Sequence, residues 1–78
     1  SVIKNILVRD LHVTVNDRPV VMHGKTEYMF VDVFDYIDFD LSQPNGRSIV
    51  TQLNGDTPDY MQQLHEGDRI EVYWKENR

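Results

Sequence analysis

"LHEGDRIEVYW", residues 64–74, joins a turn to the strand whose position decides the fold. Gly67-Asp68 reads as the turn, because Gly adopts positive φ at little cost and Asp bonds its own backbone. Ile70, Val72 and Trp74 then alternate with Glu71, Tyr73 and Lys75, the two-residue period of a half-buried strand over 69–75. Few side chains can be spared from such a core. A 78-residue chain without cysteine is close to the lower size limit for folding, and disulfides and cysteine–zinc sites are excluded.

Working outward, "LHVTVNDRPVVM" reads as a hairpin. A two-residue turn at Asn16-Asp17 pairs Val15 with Arg18, Val13 with Val20 and Leu11 with Met22. That register places Leu11, Val13, Val15, Val20 and Met22 on one face, whereas a three-residue turn scatters them. Pro19 beside the turn fits an edge strand, where no ladder donor is needed. "SIVTQLNGD" is a further strand, with Ile49 and Leu53 on one face and Val50 on the other, ending at Asn54-Gly55. "TPDYMQQL" opens one helical turn or forms a brief edge strand. "NILVRD" is either the start of a strand or the end of a linker, so residues 1–10 are taken as irregular and 11–78 as one domain.

Between the strands, Thr26 reads as an N-cap and Glu27 suits a first helical turn. At helical spacing Phe30, Val33, Phe34, Ile37 and Leu41 form an apolar stripe, with Asp32, Asp35 and Asp38 turned away. At strand spacing Ile37, Phe39 and Leu41 alternate with Tyr36, Asp38 and Asp40, so residues 36–41 fit either state. The reading adopted is a helix over 27–37 followed by irregular chain. The expected fold class is α+β: one helix packed on one face of a four- to five-stranded mixed sheet.

Thirteen acidic residues against eight Lys and Arg give a net charge of −5, a surface that repels phosphate backbones and argues against nucleic-acid binding. No apolar run approaches a membrane span and no signal-peptide pattern is present, so a cytoplasmic location is expected. The chain opens on Ser1 in place of Met, which reads as a piece of a longer protein, the alternative being a standalone protein that has lost its initiator Met.

The order of hairpin, helix, strand and a last strand introduced by "L-x-x-G-D-x-I-E-V" resembles the ubiquitin-like β-grasp fold, in the manner of the ThiS and MoaD sulfur carriers and the TGS domains. "VTQLNG" before a short segment is part of the same resemblance, which covers roughly residues 11–75. It implies a C-terminal strand in the middle of the sheet, parallel to the first strand, with Ile70, Val72 and Trp74 beneath the helix. Trp74, Phe30 and Phe34 are then core fillers. "GKTEYMFVDVFDYIDFDL" together with "EGDRIEVYW" also resembles the small tail domain of some bacterial actin-like ATPases of cell division. The sulfur-carrier mechanism needs a terminal Gly-Gly, whereas this chain ends "WKENR".

Chemistry finds little footing in these residues. His12, His23 and His65 lack metal-ligand spacing, so no metal and no cofactor are expected. Asp32, Asp35, Asp38 and Asp40 need a cleft to separate their pKa values before they can act as acid and base. "PNGRS" and "NGDTP" lack the phosphate-cradle pattern, and Ser1, Ser42 and Ser48 all fall in loop or terminal contexts that suggest no nucleophile. The expectation is a non-catalytic interaction or regulatory domain with a protein partner, the alternatives being a sulfur carrier or an accessory domain of an enzyme. One sheet face should be open, carrying His12, Thr14, Val21, Val50, Gln52, Glu71 and Tyr73, with Val21, Val50 and Tyr73 as an apolar centre. The acidic stripe of Asp32, Asp35 and Asp38 is the other candidate, for a basic partner.

Overall fold

The computed structural model describes residues 8–76, so any strand within residues 1–7 lies outside the described residues. Its elements are β1 (Leu11–Val15), β2 (Arg18–Met22), a 3₁₀ helix (Phe30–Asp35), β3 (Arg47–Leu53) and β4 (Arg69–Glu76). The four strands form one mixed sheet in the order β2-β1-β4-β3. β4 is therefore interior, parallel to β1 and antiparallel to β3. Among the described residues no helix is long and apolar enough to cross a membrane.

The hairpin register is the one its hydrophobic parity requires: Val15 faces Arg18, Val13 faces Val20 and Leu11 faces Met22. Asn16 and Asp17 take φ of 52° and 66°, the two positive values of the tight turn that matches strand twist. Pro19 lies on the outer strand β2, where its missing donor costs nothing.

Asn16 then does a second job. Its backbone N–H donates to Ile70 O, its side-chain Oδ1 accepts the Val72 N–H at 3.0 Å, and its Nδ2 donates to Val72 O at 3.0 Å. The side chain extends the parallel ladder beyond the end of β1, where the backbone has already turned away.

The "L-x-x-G-D" stretch is a three-way tie. Asp68, only 9% exposed, accepts the His65 N–H at 2.7 Å and the Asn54 Nδ2–H at 3.0 Å, while its carbonyl accepts the Thr14 N–H. Asn54 Oδ1 in turn accepts the Arg69 N–H. The turn after β3, the turn before β4 and β1 are thereby held together, and the buried carboxylate is satisfied.

The sheet contributes Leu11, Val13, Val15, Met22, Leu53, Ile70 and Val72 to the core, and Tyr28, Phe30, Val33 and Leu64 cover them. Phe30, Met22, Ile70, Val33 and Val72 are fully buried, each contributing about 1.5–3 kcal/mol.

Four expectations are corrected here. The segment expected as a helix over 27–37 forms only six residues of 3₁₀ helix, with Asp32 N–H donating to Met29 O and Tyr36 N–H to Val33 O. Thr26 is not its cap; Met29 is, and its N–H donates to Asp32 Oδ2. Valine and aromatics weaken the α-helical preference. A period of three then stacks Phe30, Val33 and Tyr36 on the sheet side, the first two with no exposed surface. Ile37 is half-buried and Leu41 exposed, so the expected five-residue stripe does not form.

Trp74 does not lie beneath the helix. It faces the core side of the sheet, paired with Ile49, and the partners on its ring, Phe39 and Arg47, both lie outside the helix Phe30–Asp35. Phe39 stacks on it at 5.1 Å and 22° in the helix's place, and the Arg47 guanidinium sits 5.0 Å from its ring. The indole remains half-buried.

Candidate functional site

Strand parity puts every residue expected on the open face there, but not together. Val50 faces Tyr73 and Gln52 faces Glu71 across β3 and β4. His12 faces Val21 across β1 and β2. Because Thr14 is level with Arg69, His12 and Tyr73 are six positions apart along the strands, roughly 20 Å at strand rise. The anticipated single apolar centre is thus two spots, Val21 at one end and Val50–Tyr73 at the other. His12 is occupied besides: its Nδ1 lies 3.0 Å from Glu66 Oε2, and its backbone N–H donates to Glu66 Oε1.

The acidic stripe is also changed in composition. Asp32 is an internal brace, with Oδ1 2.8 Å from Lys25 Nζ and Oδ2 accepting the Met29 N–H at 2.9 Å. Burial pushes its carboxyl upward, but the bonds from Lys25 and Met29 and the lysine charge outweigh that and hold it below its ordinary value. The hydrogen bond and charge of Asp32 raise Lys25 in return. Asp35 and Asp38 remain exposed. Asp40 is spoken for: the Ser42 hydroxyl and amide both donate to it and hold its carboxyl below the ordinary range. Ser42 is thus bonded to a carboxylate with no imidazole between them.

Of the other histidines, His23 meets the Tyr36 ring edge-on at 5.8 Å, and His65 donates its amide to Asp68. Among the described residues, no three His, Asp or Glu side chains converge as a metal site would require. A groove of about 510 Å³ lies between the hairpin turn and residues 36–38, floored by Val15, Val20 and Ile37. Arg18 and Asp38 are its charged groups. It pairs no two carboxylates and offers no nucleophile beside a base.

Further exposed apolar side chains lie on the helix side, where strand parity and helical spacing do not point to them. Residues 60–64 run antiparallel to 28–31, with Leu64 N–H bonding to Tyr28 O, Phe30 N–H to Gln62 O and Val31 N–H to Tyr60 O, each at 2.8 Å. These bonds satisfy amides that the first turn of a helix leaves without partners. They also set Tyr60 against Phe30 and Phe34, at ring separations of 6.2 and 6.3 Å. Phe34 is half-buried, while Val31, Tyr60 and Met61 are 41%, 53% and 70% exposed. Asp35 and Asp59, both exposed, flank the patch in sequence. "TPDYMQQL" was too short for periodicity to reveal this pairing, and only the adjacency of Tyr and Met among polar residues hinted at exposure.

Comparison with known proteins gave no matching family model, no similar curated protein and no similar solved structure.

Proposed function

We propose that this chain is a non-catalytic, partner-binding domain of ubiquitin-like β-grasp type. It works within a larger cytoplasmic protein, and the resemblance to the tail domain of a bacterial actin-like ATPase of cell division is the specific form of that proposal. An interior C-terminal strand parallel to the first strand supports the β-grasp reading, with a short 3₁₀ helix where that fold has its helix.

The observation that carries the binding role is the exposure of Val31, Tyr60 and Met61 in the paired segments 28–31 and 60–64, with Tyr60 on half-buried Phe34 and the exposed carboxylates Asp35 and Asp59 adjacent in sequence. A chain this small gains more by burying Met61 and Tyr60 than by leaving them in water. Acidic groups beside an apolar centre select a partner of opposite charge. The occupant is a basic amphipathic segment of another protein, its aliphatic side chains on Met61 and Val31 and its Lys or Arg beside Asp35, Asp59 and the Tyr60 ring. The Val50–Tyr73 pair is the second candidate contact, favoured by the 43% exposure of Tyr73.

The test is an NMR titration of the protein with a synthetic Leu/Lys amphipathic peptide, with a Leu/Glu peptide of the same pattern as control. The Lys peptide is expected to shift amides of residues 31–35 and 59–61, weakly in high salt, and the Glu peptide to leave them unmoved. Met61→Ser should weaken binding roughly tenfold, the scale of one well-placed anchor. Shifts spread evenly over the surface, or centred on Tyr73, would remove the helix-side proposal.

A further inference from the structure

The dipeptide Asn-Gly occurs twice, at 45–46 and 54–55, in two turns of the same kind. Asn45 and Gly46 have φ of 53° and 76°, and Asn54 and Gly55 have 53° and 90°. We infer that Asn45-Gly46 is a site of spontaneous self-modification, at which Asn45 converts to aspartyl and isoaspartyl forms, and that the fold holds Asn54-Gly55 unreactive.

The reaction is intramolecular. The Gly46 backbone nitrogen, losing its proton to base, attacks Cγ of Asn45; the new C–N bond closes a five-membered succinimide as the Cγ–Nδ2 bond breaks and ammonia leaves. Water then adds to one of the two ring carbonyls. Opening on one side leaves an ordinary aspartyl residue at position 45, and opening on the other leaves isoaspartate, with an extra methylene in the main chain. Glycine at the second position is what allows it, because no side chain shields the attacking nitrogen. Around Gly46 no atom beyond its two chain neighbours lies within 4 Å of the place a Cβ would occupy.

The same space is open at Gly55, so side-chain restraint separates the two sites. Asn54 is bound at both ends of its carboxamide: Nδ2 donates to Asp68 Oδ1 at 3.0 Å, and Oδ1 accepts the Arg69 N–H at 2.9 Å. Its turn is closed by two bonds between Leu53 and Asp56, and its own N–H donates to Arg69 O. Asn45 is exposed and its carboxamide bonds to no other described residue. The Arg47 N–H to Pro44 O bond closes its turn, with Arg47 Nε on the same carbonyl. Far less structure must open for Asn45 Cγ to reach the next nitrogen. The folded-state rates should therefore differ at least about tenfold, given what each lost hydrogen bond is worth.

The product matters locally. Asn45 lines a groove with Asp38, Asp40, Arg47 and Trp74, so conversion adds a carboxylate there. The isoaspartyl form also lengthens the turn that places Arg47 on Trp74.

The experiment incubates the folded protein at neutral and at mildly alkaline pH, then maps its peptides by mass. The expected result is an amide-to-acid mass increase at Asn45, faster at the higher pH, with Asn54 unchanged. In urea both sites should react at similar rates, and Asn45→Gln should remove the fast event. Equal rates at the two sites in the folded protein would overturn the inference. So would an Asn45 that is inert when folded yet reactive in urea.

Discussion

Replacing Asn16 by glycine removes two hydrogen bonds and almost nothing else. Glycine adopts the φ of 52° that this position requires, so the turn itself is spared. What is lost is the side-chain clasp on the Val72 N–H and C=O, both part-buried contacts that bridge β1 to β4. Each such bond is worth about 0.5–1.5 kcal/mol net, and more where water cannot reach the abandoned group. The added backbone freedom of glycine in the unfolded chain contributes a further ~0.5 kcal/mol. The total is about 1.5–3.5 kcal/mol. For a domain of this size that lowers Tm by roughly 10–20 °C, read by thermal or urea melting followed at Trp74. Asn16→Asp supplies a control, since it keeps the acceptor for the Val72 N–H but sets an oxygen against Val72 O. It should cost at least as much as the lost bond at neutral pH, and less in acid, where a protonated carboxyl can donate. Loss of under about 0.5 kcal/mol in Asn16→Gly, the size of an ordinary surface substitution, would refute the clasp and with it this β1–β4 register.

Asp32 makes stability depend on acid. Its folded carboxyl lies below the ordinary value of 3.8, so its contribution is complete above that value and is lost as pH falls through the lower, folded one. Melting curves of wild type and Asp32→Asn should separate near neutrality and converge toward about pH 2; curves that stay parallel would contradict the brace. Asp68→Ala leaves the His65 amide and the Asn54 carboxamide without an acceptor, and a loss of about 2–4 kcal/mol in urea melting is expected. Phe39→Ala uncovers the Trp74 indole and should red-shift its emission, at a stability cost of about 1–3 kcal/mol. Met61→Ser, at a position 70% exposed, should leave stability within about 0.5 kcal/mol of wild type while weakening the Lys-peptide contact.

Strand parity carried much of the architecture. The alternation in residues 11–22 allowed one hairpin register, and the same logic separated Ile49 and Leu53 from Val50; the structure has both. The helix was harder because Phe30, Val33 and Phe34 suit a period of 3.6 as well as one of three. The aspartates at 32, 35 and 38, spaced by three, were the better guide, together with the density of valine and aromatics. What selected the 3₁₀ form was tertiary: amides of Phe30 and Val31 go to carbonyls of Gln62 and Tyr60, more than 25 residues away. Long-range placement also decided the candidate site. Parity told which residues share the open face, but only the parallel offset of β1 against β4 shows that Val21 stands far from Tyr73. The helix-side patch depended on a pairing between two irregular segments, and neither carries a period to read.

Partner binding is probed most directly by placing a photoreactive phenylalanine analogue at position 61 of the protein and irradiating living cells that express it. A matching probe at position 73 serves as comparison, and one at exposed Glu27 as background. A discrete adduct from position 61 is expected, joined to a segment rich in Lys or Arg and aliphatic residues. An adduct from position 73 alone, or equal background from all three positions, would refute the helix-side binding role.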